Sequence, residues 1–395
     1  MKAVIFGGGK IARGFIGQLL YQSGFEMTFV DVNTQLIERL NAEKKYYVHV
    51  MGHEEESQWI DNFHCVSLND IAGIRQALET SDIGFTAVGG KNLEGLAGVI
   101  AAAYEKAAPA MENHLFTIIC CENWKNPADQ LMASVLDRLP NGNLKDSFSR
   151  HIGISEAAIL RSGVEATDEV QKIDANAVSV TSYWELPVDR DRIKGEPVEF
   201  KGVRYQKDFD SFLQRKIYTF NTINATIAYI GSLRGMGMLC DAANDPDIVE
   251  IVKQVQEEIN PAIAAEMKVK IEEQKKFADA ALKKYQDKSV VDFTERHARD
   301  PVRKMGPSDR ITGTLRLVEK HGLPYSALAT TLAAALFYQT KNKEDSSAQR
   351  LHEMLKGQGI DVILKEICKI DPQEKMALAV KERVAWLKER GWLDG

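Results

Sequence analysis

Lys216, Asn221 and Asn224 interrupt an apolar helical pattern near the middle of the chain. Around them Phe209, Phe212, Leu213, Ile217, Phe220, Ile223, Ile227 and Ile230 recur mostly at three- and four-residue steps, the period of one helix face. At about 100° per residue, Lys216 and Asn221 fall ~140° apart around the axis, with Asn224 between them. One arc of the helix then carries an amine and two amides among residues that belong in a core. Buried polar groups require partners. Two readings are open: these groups bond neighbouring helices, or they meet a bound substrate. In the second, an amine can move a proton and amides can steady a developing oxyanion.

The elements that would position such chemistry begin at the N-terminus. Residues 2–6 (Lys-Ala-Val-Ile-Phe) read as a short buried strand, followed by Gly7-Gly8-Gly9-Lys10-Ile11-Ala12 and a helix from about Arg13 to Ser23. A second strand, Met27 to Val30, ends in Asp31. This is the dinucleotide fingerprint G-x-G-x-x-A between strand and helix. Gly7 permits the tight turn, Gly9 admits the pyrophosphate, and Ala12 lets helix and strand pack closely. Lys10, Ile11 and Ala12 present the helix N-terminus to the phosphates. Asp31, 22 positions after Gly9, is placed for the adenosine ribose hydroxyls and would repel a 2′-phosphate, which favours NAD over NADP. Arg13 is either a phosphate neighbour or a solvated helix residue.

The βα alternation continues, giving an α/β Rossmann-type domain over residues 1–204. Residues 46–50 form an added strand or hairpin, 69–79 a helix, 83–88 a strand ending at Val88-Gly89-Gly90 with a helix from about Asn92, and 115–120 another strand ending in Cys121-Glu122-Asn123. Ligands of open parallel sheets sit at strand carboxyl ends, so Val88, Gly89, Gly90, Glu122 and Asn123 are placed toward the nicotinamide. Asn123 reads equally well as a helix cap or turn residue. Residues 177–188 read as a final strand, and the lone His151 as structural. From 205 to 395 the pattern is all-α, with helices at 208–233, 245–285, 308–320, 324–338, 345–358 and 372–390. Lysines at 268, 270, 275, 276, 283, 284 and 288 read as a solvated helix face. Arg299, Arg303, Lys304 and Arg310 lie in a proline-interrupted stretch. They could offer cations to a phosphate or carboxylate, or pair with Asp300 and Asp309.

Bulk composition narrows the classes. At 395 residues, two domains are the default. A net charge of −6 argues against a nucleic-acid binder. No apolar run approaches the ~18 residues of a membrane span, and the start has no signal-peptide segment. Five cysteines without metal-type spacing fit a reduced, cytoplasmic protein with no metal site.

Taken together, the motifs resemble the long-chain polyol dehydrogenase (mannitol dehydrogenase) family, most closely its mannitol-1-phosphate 5-dehydrogenase branch. The resemblance runs from Phe6-Gly7-Gly8-Gly9-Lys10-Ile11-Ala12-Arg13 through Asp31-Val32-Asn33, Thr86-Ala87-Val88-Gly89 and Cys121-Glu122-Asn123. It continues through Arg215-Lys216 with Asn221-Thr222, Arg299 to Lys304, Asp309-Arg310 and Gly322-Leu323-Pro324. It implies that Lys216 is the general base taking the hydroxyl proton as NAD accepts hydride, and that Asn221 stabilises the alkoxide. A lysine near its ordinary ~10.4 is a poor base at neutral pH, so burial and a nearby cation, with Arg215 adjacent, must lower it. Two departures stand out. Asn224 occupies the position of the family's histidine. Near the expected substrate pocket, Glu156 stands where Asn or Asp is usual, and Leu160 stands where an Asp precedes the retained Arg161.

The expected activity is NAD-dependent interconversion of a secondary alcohol and a ketone on a polyol or sugar phosphate. Lys216, Asn221 and Asn224 would do the chemistry, and Glu156, Arg161, Arg303 and Lys304 would face the substrate, in a monomer or homodimer. The alternatives are a sugar-acid or β-hydroxyacid dehydrogenase, or a catalytically weak NAD-binding regulatory paralogue.

Overall fold

The computed structural model describes residues 1–340 and 342–393. The chain forms two compact units, Met1–Phe209 and Asp210–Gly395. In the first, six parallel strands, β1 (Lys2–Phe6), β2 (Glu26–Asp31), β3 (Phe63–Ser67), β4 (Ile83–Thr86), β5 (Phe116–Cys120) and β6 (Ile152–Glu156), lie in the order β3-β2-β1-β4-β5-β6. That order reverses beside β1, the crevice where doubly wound sheets bind dinucleotides. Side-chain alternation sends Ile5, Phe29 and Phe85 to one apolar core, and Val4, Phe6 and Val30 to another across the sheet.

A smaller sheet orders Gln58–Ile60, Tyr46–Val50, Val178–Val180 and Gly163–Val164. Here one sequence expectation fails. Residues 177–188 form two strands, Val178–Val180 and Leu186–Asp189, in different sheets. The chain turns between them because Thr181 bonds back to Arg161 and Ser162, while Ser182 and Trp184 both donate to Glu56.

The second unit is helical among its described residues, around a core that includes Ile223, Ile227, Ile230, Ile259, Leu328 and Leu332. The expected helix 245–285 is two, Pro246–Glu266 and Ile271–Gln286. They part where Lys268 takes a left-handed φ of 53° and Val269 N–H returns to the Ala264 carbonyl. Short helices Leu239–Asn244, Thr294–Ala298, Pro301–Lys304 and Ile360–Glu366 escaped the sequence reading because each is a turn or two long. No described helix is long and apolar enough to cross a membrane.

Candidate active site

The fingerprint turn is built by close backbone contacts. Gly7 has φ 110°, and a Cβ there would lie 2.6 Å from the Ala87 carbonyl oxygen, so only glycine fits. A Cβ on Gly9 would meet nothing within 4 Å, leaving its backbone open to a ligand. Gly7 and Gly9 line a cavity of about 460 Å³ with Asp31, Val32, Val88 and Lys91. Asp31 is aimed by its neighbours: Gly8 N–H donates to Oδ2 at 2.5 Å and Asn33 N–H to Oδ1 at 2.7 Å. Each oxygen keeps a second lone pair for a hydroxyl donor. An open glycine loop beside an oriented carboxylate fits a dinucleotide.

Other expected cofactor residues serve differently. Arg13 is neither solvated nor free for a phosphate. It is buried, with Nε donating to the Gly8 carbonyl at 2.7 Å and another nitrogen to the Asn176 carbonyl, so it braces the loop from beneath. Lys10 pairs with Glu165, and Ile11 packs near Gly163. The lysine lining the cavity is Lys91. Ala12 is buried at the start of a π-helical stretch, Ala12–Ile16, while the tightest approaches come one turn on. A Cβ on Gly14 would strike Val180, and one on Gly17 the Tyr46 hydroxyl, both at 2.6 Å. Gly89 takes φ 83°, and Asn123 is exposed; neither lines the cavity. Glu122 is buried under Val88, accepting from Thr86 Oγ1 (2.7 Å) and Val88 N–H (3.1 Å), and burial raises its pKa.

In the second unit, Phe209–Lys216 runs into a π turn, Ile217–Asn221, and then into helix Thr222–Leu233. This changes the geometry expected of Lys216 and Asn221. A π turn closes bonds between residues five apart, so these two fall nearer one another around the axis than the ~140° of a regular helix. Asn224, three residues on, shares the side of Asn221. Thr222 Oγ1, bonding the Arg310 carbonyl at 2.7 Å and Thr314 Oγ1 at 3.0 Å, ties the distorted turn to its neighbours. Lys216 is half-buried, and its pKa falls to about 8 through burial first and then the charge of Arg310. The adjacent Arg215 is not the cation responsible. It bonds Gln274 and Glu273, both at 2.8 Å, and lies over the Phe277 ring.

The model described as the mannitol dehydrogenase Rossmann domain matches residues 1–202, and that of the mannitol dehydrogenase C-terminal domain matches residues 208–388. The protein named mannitol-1-phosphate 5-dehydrogenase in Brevibacillus brevis is 32% identical over 98% of this chain and 99% of its own. The chain belongs to the mannitol dehydrogenase family. It is an NAD-dependent oxidoreductase of that family. A namesake in Lacticaseibacillus casei is 31% identical over 93% of this chain and 94% of its own. Two solved structures share the fold. A D-sorbitol dehydrogenase has TM-score 0.81 and 16% identity, covering 99% of this chain and 93% of its own. Pseudomonas fluorescens mannitol 2-dehydrogenase, in a ternary complex with NAD and D-mannitol, has TM-score 0.69 and 15% identity, covering 99% and 92%.

Within this mannitol dehydrogenase family member, most residues expected at the substrate are engaged elsewhere. Arg161 is buried, donating to the Thr181 carbonyl (2.7 Å) and Gln18 Oε1 (2.8 Å), with its guanidinium over Trp184; burial lowers its pKa to about 9. Arg303 pairs with Asp300 and Asp309, the alternative its sequence left open. Lys304 is buried and donates to the His297 carbonyl at 2.6 Å. Glu156 is buried at the carboxyl end of β6, beside Cys120.

Three groups act in ways the sequence did not show. Arg310 acts on Lys216. Lys284, assigned to a solvated face, is half-buried with its pKa lowered to about 8 by burial and then by Lys216. His297 bonds Asn224 at 2.9 Å from 73 residues away. In the sequence Arg310 reads only as a cation for an anion or a partner of Asp309, and His297 is pointed to by Asn224, since an asparagine in an apolar helix needs a partner.

Proposed function

We propose that this dehydrogenase interconverts a secondary alcohol and a ketone on a phosphorylated polyol, of the mannitol-1-phosphate/fructose-6-phosphate type, with Lys216 as general base. The observation carrying this reading is the amine of Lys216, set one π turn before Asn221 and lowered to about 8. At pH 7.5 about a quarter of such an amine is neutral, against roughly one in a thousand at the ordinary value. NAD, when bound, supplies the hydride acceptor. Neutral Lys216 takes the hydroxyl proton as the carbinol C–H bond breaks, and Asn221 N–H groups meet the oxygen as charge develops on it. In ketone reduction, the Lys216 ammonium returns that proton.

A phosphorylated substrate is favoured by the charges around the base. Burial, aided by a neighbouring cation, lowers two amines here, Lys216 and Lys284, to about 8. An anion would relieve that mutual repulsion. The names of the bacterial relatives agree with the choice. The test is NADH formation or consumption with mannitol 1-phosphate, fructose 6-phosphate, the unphosphorylated sugars and sugar acids. Phosphorylated substrates should lead in kcat/KM; faster turnover of free polyols or sugar acids would overturn the reading.

A further inference from the structure

Asn224 replaces the histidine implied by the family, yet an imidazole stands beside it. His297, on helix Thr294–Ala298, lies with Nδ1 2.9 Å from Asn224 Nδ2 and Nε2 2.7 Å from Asp292 Oδ2. Arg296 Nε holds the same carboxylate at 2.6 Å, and Lys304 Nζ holds the His297 carbonyl at 2.6 Å. Asn224 and Asp292 are buried.

The hydrogen-bond roles follow from chemistry. An ionised carboxylate only accepts, so His297 Nε2 carries the proton. A neutral imidazole then presents a lone pair at Nδ1, and Asn224 must offer N–H there. Its carbonyl Oδ1 is then the end turned away from His297, and Asn224 follows Asn221 by three residues, on the same side of the helix. We propose that Asp292 and His297 are positioning residues that lock the Asn224 amide, so that its carbonyl oxygen receives a hydroxyl of the substrate. This rests on the reading of Lys216 as base. It deepens that reading by assigning a neutral hydroxyl, not the phosphate, to the place next to Asn221.

Protonating His297 would reverse the arrangement. Nδ1 would become a donor, and the Asn224 amide would have to turn over and present N–H to the substrate. Burial holds the His297 pKa below its ordinary 6.5 against the pull of Asp292, with Arg296 and Lys304 adding to the lowering. The Tyr285 ring, 6.1 Å away, closes another side. The locked form therefore prevails at neutral pH.

The test uses ketone reduction, where Lys216 must be protonated and its own titration limits only the alkaline side. The wild-type rate should fall on the acid side, at a pH lower than the ordinary imidazole value. His297→Leu should lower kcat about tenfold at pH 7.5 and abolish that acid limb. His297→Gln, which can accept from Asn224 but cannot titrate, should recover most of the rate without restoring the limb. A purely structural role would reduce the amount of active enzyme and leave the profile unmoved. A wild-type kcat and acid limb in His297→Leu would overturn the proposal. ¹⁵N chemical shifts of the His297 ring, read without turnover, separate it from the base assignment. A proton on Nε2 supports it, and one on Nδ1 refutes it whatever Lys216 does.

Discussion

Arg310 should set part of the pH dependence of alcohol oxidation. Its side chain is largely buried, with Nε on Asp309 Oδ1 at 2.9 Å, and its backbone carbonyl is anchored by Thr222. Arg310→Gln therefore removes the charge while keeping the backbone tie. Lys216 falls from 10.5 to about 8, and burial is the larger of the two causes. Removing Arg310 should thus recover less than half of that drop, roughly one unit at most. A base moving from about 8 to about 9 loses about eightfold in its neutral fraction at pH 7.5. The assay is initial-rate NADH formation across pH 6–10, fitted as log kcat and log kcat/KM. The inflection of log kcat should move up by up to about one unit, with wild-type rates restored at high pH. A lower rate with an unmoved inflection would refute the electrostatic argument. A change confined to KM would mean that Arg310 contacts substrate instead.

Two further predictions concern the cofactor and the fold. Asp31→Ser removes the aimed carboxylate from the cavity lining. NAD affinity should weaken about 10–100-fold with relatively better use of NADP, measured by calorimetry; an unchanged preference would reassign Asp31 to holding Gly8. Glu258 is buried and accepts Ala327 and Leu328 N–H, each at 2.8 Å, at the start of helix Ser326–Leu336. Burial raises its pKa to about 7. A carboxyl raised in the folded state favours folding when protonated, so its contribution is present below about pH 4.5 and is lost as pH rises through about 7, amounting to ~3 kcal/mol at most. Urea unfolding at pH 5 and pH 8 should show a smaller pH difference in Glu258→Gln than in wild type; equal differences would contradict this.

What the sequence disclosed follows from the range of the interactions. Gly7, Gly9 and Asp31 were legible because strand, turn, helix and strand follow one another within about thirty residues, and each type has one use at its place. Arg13 was left between two readings because a charged residue beside a motif suggests a ligand contact, whereas its partner, the Asn176 carbonyl, comes from a distant turn, as the Thr181 carbonyl does for Arg161. The π turn left no mark in the apolar spacing. It nevertheless brings Lys216 and Asn221 nearer one another around the axis. Lys284 and Arg310 reach the base, and His297 reaches Asn224, only through tertiary packing, which no local pattern encodes. Asn224 was the exception, since its departure from the family's histidine marked where an unseen partner had to be.

The most direct test of the central claim is Lys216→Ala, with NAD binding and turnover measured on the same preparation. NAD affinity should stay within about twofold of wild type, while kcat for polyol-phosphate oxidation falls by about a thousandfold or more, the scale of losing a poised base. Substantial activity in that variant would contradict the assignment of Lys216 as base.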